Sequence, residues 1–90
     1  MRVALVCTDK PGHLQTRLDN RAAHLEHIQT SGVVEMAGPL LDEAGQMVGS
    51  LLILTVETIA QAEAWAEADP YSLAGLFQSV SLMEWKKVVG

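Results

Sequence analysis

The stretch Met47-Val48-Gly49-Ser50-Leu51-Leu52-Ile53-Leu54-Thr55-Val56 decides the fold of this chain. Its aliphatic and β-branched residues predict a strand, and Leu51 to Leu54 are apolar at consecutive positions instead of alternate ones. Because successive side chains of a strand point to opposite faces of the sheet, both faces of this strand need burial. We therefore expect helices on one face of its sheet and a second subunit on the other.

The segments on either side of this strand predict one domain, residues 1–90, with the order β-α-β-β-α-β. Gly32 follows the first helical segment and Pro70 the second, and both residue types end helices. The order is that of a ferredoxin-like α+β fold, a four-stranded antiparallel sheet with two helices on one face. Strands are predicted at Val3 to Cys7, Val33 to Leu41, Met47 to Val56 and Phe77 to about Val88, and helices at His13 to about Thr30 and Thr58 to about Ala68.

Composition favours an oligomer and excludes several partners. Hydrophobic residues make up 49% of the chain, more than a small monomer easily covers, which indicates a homodimer. The formal charge is −5, and Lys86-Lys87 is the only adjacent basic pair, so we expect no binding to nucleic acid or anionic lipid.

The apolar runs are short, and the thiol is single. No stretch approaches the ~20 apolar residues that span a membrane, and the apolar start of the chain is too short for a signal peptide. Cys7 has no second cysteine with which to form a disulfide. These features predict a soluble protein in a reducing compartment, the cytoplasm.

A helical wheel of the first helix gives it an apolar face. Arg21 falls inside the same arc of roughly 80°, while His27 points away, toward solvent. We expect this arc to be the core face of the helix. Its apolar members are Leu14, Leu18, Leu25 and Ile28.

Three residues that carry chemistry lie in one stripe of that helix. Arg17, Arg21 and His24 have the spacing i, i+4, i+7, with Arg17 and His24 at the edge of the apolar arc. An arginine there either forms a structural salt bridge, extends over the sheet edge, or binds an anion beside His24. His24 is either a satisfied histidine at the core margin or a catalytic group.

The second helix ends on a carboxylate that faces inward. Asp69 continues the apolar arc of this helix, although a carboxylate at a helix C-terminus is disfavoured by the helix dipole. Asp69 either forms a turn before Pro70 or orients and charges a nearby histidine. Because the two helices lie side by side in this fold, His24 and Asp69 can meet.

Other motifs give weaker indications. Ser50 follows Gly49 but lacks the context of a nucleophile elbow, so we do not assign it as a nucleophile. Tyr71 either lines a pocket or packs. The histidines form no metal-ligand spacing with cysteine or carboxylates, and no phosphate-binding loop is present.

Together these residues resemble the YciI-like (YCII-related) family, and the resemblance covers nearly the whole chain. It implies a dimeric α+β barrel with an active site built on a His–Asp pair, matching His24 and Asp69. One relative in that family is similar to a dehydrochlorinase acting on a chlorinated hydroxyquinol. The hairpin loop from Leu41 to Met47 is shorter than in the family pattern, so the identity of the substrate is not inferred from the resemblance. The resemblance is carried by Arg17-x-x-x-Arg21-x-x-His24-Leu25, Gly38-Pro39, Gly49-Ser50, Ala62 to Trp65, Ala68-Asp69-Pro70-Tyr71, Ala74-Gly75 and Trp85-Lys86-Lys87-Val88.

The leading hypothesis is a small enzyme, of lyase or isomerase type, that needs no cofactor or metal. His24 would act as general base or acid, and Asp69 would orient the imidazole and stabilise its charged form. A small anionic metabolite, such as an aromatic-derived acid or enol, would be held by Arg17 or Arg21, with Tyr71 and Ser50 also in the substrate-binding site. The alternatives are a non-catalytic ligand-binding or regulatory module and a purely structural dimer.

Overall fold

The computed structural model describes all 90 residues and contains four strands and three helices. The helix α3 is a short addition to the predicted order, and the last strand ends at Trp85, not near Val88. No helix is both long and apolar enough to cross a lipid bilayer. The elements are β1 (Arg2–Asp9), α1 (Leu14–Ser31), β2 (Val34–Leu41), β3 (Met47–Thr55), α2 (Ile59–Ala68), α3 (Pro70–Leu73) and β4 (Phe77–Trp85).

The strands form a single antiparallel sheet in the order β2-β3-β1-β4. In the central pair, Leu5 of β1 lies opposite Leu52 of β3, and Cys7 lies opposite Ser50. This order and the positions of the helices confirm the ferredoxin-like α+β fold.

The core lies between the helices and one face of the sheet. Strand alternation directs Val3 and Leu5 of β1 and Leu52 and Leu54 of β3 into it, and all four are almost fully buried. Trp65 of α2 packs against this cluster. Burial of each such side chain contributes roughly 1.5–3 kcal/mol, so this layer provides the main stabilising term for the fold.

The opposite face of the sheet carries apolar side chains as well. Leu51 of β3 remains 41% exposed there, as do Val6 of β1 at 37% and Met83 of β4 at 70%. In the sheet register, Leu51 and Ser81 both lie opposite Val6, and Met83 lies opposite Ala4, so these side chains all point to the same face. The two-sided apolar pattern of β3 therefore appears in the structure as one packed face and one open face.

The predicted core face of α1 is wrong for its three leucines, whereas Ile28 packs against the core as predicted. Leu14, Leu18 and Leu25 are 38%, 45% and 49% exposed, whereas the buried residues of the helix are Arg17 and His24. The helix is rotated by roughly 75° relative to the apolar wheel. The two polar side chains can face inward because other elements supply their hydrogen-bonding partners.

Contacts between α1 and α2 correct a second prediction. His27 does not point to solvent: its ring stacks on Trp65 at 4.4 Å, and its Nε2 lies 3.1 Å from the Trp65 carbonyl oxygen. The Trp65 indole also donates to Ser31 Oγ at 2.9 Å. These contacts fix the two helices side by side, which sets the distance between the residues described below.

Thr58 and Gln61 form a slightly shifted capping box at the start of α2. Thr58 Oγ1 accepts from the backbone N–H of Gln61 at 3.2 Å, as a capping residue should. The Gln61 side chain reaches back to the N–H of Glu57 at 2.8 Å, one residue before the usual partner.

Candidate functional site

His24 and Asp69 meet in the structure. His24 Nδ1 lies 2.8 Å from Asp69 Oδ1, although 45 residues separate the two in sequence. Both side chains are buried: His24 lies on the inward side of α1, and Asp69 lies at the junction of α2 and α3. A hydrogen bond between such groups is stronger in this low-dielectric setting than in water.

The local backbone explains why Asp69 faces inward. Asp69 ends α2 and also caps α3, with an extended conformation at φ −60° and ψ 127°. Its Oδ1 accepts from the backbone N–H of Tyr71 at 3.0 Å, and Pro70 occupies the first position of α3, where no N–H is needed. The turn-forming role and the pairing with His24 are thus both present in one carboxylate.

The pairing determines where the imidazole carries its proton. An ionised carboxylate only accepts hydrogen bonds, so Nδ1 of His24 must donate to Asp69 Oδ1. In the neutral ring this leaves the lone pair on Nε2. Nε2 makes no hydrogen bond within the chain and is not sealed from solvent, so it is free to accept a proton.

The Tyr71 ring packs against the face of the imidazole. It stacks on His24 at 3.9 Å with an interplanar angle of 10°, and it meets Phe77 edge-on at 6.0 Å. Arg17 places its guanidinium carbon 4.8 Å from the centre of the same ring. Burial raises the pKa of the Tyr71 hydroxyl, against the opposing pull of Arg17 and Arg21, so it remains a phenol and a proton donor.

Arg17 is a buried and paired cation. Its Nε and Nη2 donate to the two oxygens of Asp9 at 2.8 and 2.9 Å, and Nη2 also donates to Ser50 Oγ at 2.8 Å. Burial disfavours the charge, but the hydrogen bonds with Asp9 and its negative charge outweigh that cost and leave the pKa of Arg17 raised. The guanidinium is therefore charged and held in one orientation.

A cavity of about 160 Å³ opens between α1 and the strands β2 and β3. Its size is similar to that of cavities known to hold one benzene molecule. Arg21 is exposed at this cavity and forms no ion pair or hydrogen bond within the chain. Five of the six predicted site residues line the cavity and the sixth, Asp69, lies behind it: the lining includes Arg17, Arg21, His24, Ser50, Tyr71, Leu25, Ile28, Ala37, Gly38, Pro39, Met47 and Leu52.

Cys7 lies behind this site and is chemically quiet. Burial, followed by the negative charges of Asp69 and Asp9, raises its pKa from 9.0 to about 12. Cys7 therefore stays a thiol at neutral pH, as expected for a buried structural residue.

One polar atom of the site lacks a partner. Asp69 Oδ2 is buried and accepts no hydrogen bond, while Oδ1 accepts from both His24 and Tyr71. No group of three or more histidine, cysteine and carboxylate side chains lies close enough together to hold a metal ion.

Sequence reasoning missed Asp9. The sequence Asp9-Lys10-Pro11-Gly12 is typical of a turn, but the structure shows Asp9 as the last residue of β1, bound to Arg17. A signal was present, since a buried arginine requires a carboxylate partner and Asp9 lies eight residues away on an adjoining element.

The model of the YCII-related domain matches residues 1–86. This chain belongs to the YCII-related family. Protein YciI of Escherichia coli O6:H1 is 37% identical over 97 residues, covering 98% of this chain and 99% of the relative. An uncharacterized protein of Haemophilus influenzae is 34% identical over 98 residues, with the same coverage of both chains.

Solved structures share the fold. The 5-chloro-2-hydroxyhydroquinone dehydrochlorinase TftG of Burkholderia phenoliruptrix AC1100, in complex with 2,5-dihydroxybenzoquinone, superposes with a TM-score of 0.87. Its sequence is 34% identical to that of this chain, and the match covers 96% of this chain and 94% of TftG. An antibiotic biosynthesis monooxygenase has a TM-score of 0.56 over 96% of this chain and 98% of its own, and at 12% identity it supports the fold alone.

Proposed function

We propose that this YCII-related protein is a small enzyme that transfers protons on a small anionic metabolite, with elimination or isomerisation as the outcome. The observation that carries the proposal is the buried His24–Asp69 hydrogen bond beside an open cavity, with Nε2 of His24 left without a partner. A positioned imidazole of this kind contributes typically about 10²–10⁴ to a rate.

The proposed reaction is redox-neutral. His24 Nε2 removes a proton from an O–H or C–H group, and the electron pair left on the substrate forms a new double bond. In an elimination the leaving group departs with its bonding pair, and in an isomerisation another substrate atom takes a proton back. Asp69 stabilises the imidazolium that forms, and no oxidant or reductant is required.

The substrate class is suggested by the cavity and by one relative. The cavity accommodates about one six-membered ring, and cationic groups lie along it at Arg17 and Arg21. The Burkholderia relative is a dehydrochlorinase of a chlorinated hydroxyhydroquinone, bound in that structure to a dihydroxyquinone. We propose hydroxylated, aromatic-derived acids or enols for this chain, with Ser50 and Tyr71 contributing polar contacts.

The test is turnover by histidine variants on a panel of enolic acids and chlorinated hydroquinones. His24→Ala is expected to lose at least about 100-fold in kcat because the base is absent. His24→Gln, which keeps a hydrogen-bonding group, covers the case in which alanine lowers stability.

The matched control is His13→Ala. His13 is a histidine outside the cavity, with its Nδ1 near the Pro11 carbonyl, and this variant should keep wild-type turnover. Full activity in both His24 variants would contradict the proposal. If no compound turns over but one raises the melting temperature of the wild type, the alternative of a ligand-binding or regulatory module is favoured.

We also propose that the chain acts as a homodimer joined through the open face of its sheet. Besides Val6, Leu51 and Met83, this face exposes Met36 at 53% and Trp85 at 37%. A contiguous apolar face of this kind on a small domain is typical of an interface. A second copy of the chain offers the same apolar surface in return.

A further inference from the structure

The two arginines of the cavity have different electrostatic roles. Arg17 is 3% exposed and gives two hydrogen bonds to the carboxylate of Asp9, so a negative charge lies directly against its positive one. Arg21 lies one helical turn further along α1, is exposed, and pairs with nothing in the chain. Arg21 is therefore the arginine of the cavity wall that lacks a counter-charge.

Asp69 and His24 do not provide a second free cation, because the imidazole is already hydrogen-bonded to a carboxylate. Whatever charge the imidazole carries, the Asp69 carboxylate lies directly against it at 2.8 Å. A bound anion thus finds one uncompensated guanidinium, at the open side of the cavity. Arg21 also lies near enough to the Tyr71 hydroxyl for its positive charge to oppose the rise in pKa that burial causes there.

We propose that Arg21 binds the acidic oxygen of a single-ring, singly charged substrate, and that Asp9 is a positioning residue that keeps Arg17 from competing for that oxygen. The proposal rests on the proposed function, since it assigns groups within the same cavity. Arg17, held by Asp9 and Ser50, forms a wall beside the Tyr71 ring instead of an anion-binding site.

Ring size and charge follow from the same geometry. A cavity of about 160 Å³ admits one ring, and the ring would lie against apolar residues such as Leu52 and Pro39. A second negative charge on the ligand would have no free cation to meet, so dianions should bind no better than monoanions.

The experiment compares benzoate with benzamide, which have nearly the same shape and differ in charge. Binding to the intact protein is followed at fixed pH and ionic strength by NMR titration of backbone amide signals, with Gly38 and Ser50 as reporters of the cavity. The measured quantity is the ratio of benzoate to benzamide affinity. This readout requires no turnover, so it can fail independently of the proposed reaction.

For Arg21→Gln we expect the benzoate affinity to fall about tenfold or more, with benzamide affinity nearly unchanged, because a charge-assisted hydrogen bond is lost. Lys86→Gln removes the same charge from the exposed chain end and should leave the ratio unchanged.

Asp9→Asn gives the opposite result if Asp9 acts as proposed. It keeps the shape of the side chain but frees the charge of Arg17, so the ratio should rise about threefold or more even though the melting temperature falls. If Asp9 had a purely structural role, the substitution would lower both the affinity ratio and the melting temperature. An unchanged ratio in Arg21→Gln, a lower ratio in Asp9→Asn, or equal affinities of the wild type for the two probes would overturn the proposal.

Discussion

Asp69 shows how one residue connects backbone and chemistry. The same oxygen that caps α3 through the Tyr71 N–H also accepts from His24. Its inward direction was predictable, because a carboxylate at the negative end of a helix dipole needs a compensating partner. The identity of that partner depended on the packing of α1 against α2, which a wheel does not contain.

Asp9 marks the limit of residue-level prediction. The sequence indicated that Arg17 had to be paired or extended into solvent, and the paired alternative is the one found, with Asp9 as the partner. A turn-like sequence around Asp9 hid this role, since its carboxylate has an equally ordinary explanation in a turn.

Cys7 provides a prediction at this scale. Because folding raises its pKa from 9.0 to about 12, the native thiol should resist a thiol-specific disulfide reagent at pH 8 and react fully once the chain is unfolded in denaturant. Cys7 is the only cysteine, so the absorbance change reports this residue alone. Rapid stoichiometric labelling of the native protein at pH 8 would contradict the burial.

The same shift has a consequence for stability. Below pH 9 both the folded and unfolded chains keep the thiol protonated, and the contribution of Cys7 to stability is fully present. As the pH rises from about 9 toward 12, the unfolded chain loses the proton first, so this contribution is lost over that window.

At the scale of elements, α1 shows why an apolar wheel failed. The arc with most leucines was assigned to the core, but the helix turns Arg17 and His24 inward. Hydrophobicity ranks the faces of an isolated helix and ignores polar partners on other elements. Here Asp9, Ser50 and Asp69 supply those partners, so the polar stripe is buried at low cost.

The two glycines of the β2–β3 hairpin differ in a way that can be measured; Gly38 lies opposite Leu51 and Gly49 opposite Leu40. A Cβ at Gly49 would collide with the backbone oxygen of Cys7, whereas a Cβ at Gly38 would meet nothing within 4 Å. We expect Gly49→Ala to cost about 1–3 kcal/mol in the free energy of unfolding, from chemical denaturation. Gly38→Ala is the matched control and should leave stability unchanged or slightly higher. Equal effects of the two substitutions would contradict the close approach of β1 and β3.

At the scale of the whole molecule, the order of elements was the most predictable property. Alternating strand and helix patterns, Gly32 and Pro70 were enough to give the ferredoxin-like arrangement. The consecutive apolar residues of β3 also indicated two apolar faces, and the structure shows both. Because these signals are local in sequence, they can be recognised without knowing how the elements pack.

The open sheet face predicts the state of the protein in solution. Sedimentation velocity at micromolar concentration should give a species of about twice the chain mass of 9.7 kDa. Leu51→Glu places a charge in the proposed interface and should shift this species to the monomer. Leu73→Glu, on the exposed side of α3, is the control that should remain dimeric. A wild type that sediments as a monomer would contradict the interface.

The central claim is that Asp69 makes His24 a base, and the kcat of Asp69→Asn on the best substrate of the panel tests it most directly. Asparagine preserves the size of the side chain but lacks the charge that fixes the proton on Nδ1 and stabilises the imidazolium. By comparison with other histidine–carboxylate pairs, kcat should fall about 10²–10⁴-fold with folding intact. A kcat within about threefold of the wild type would contradict the account.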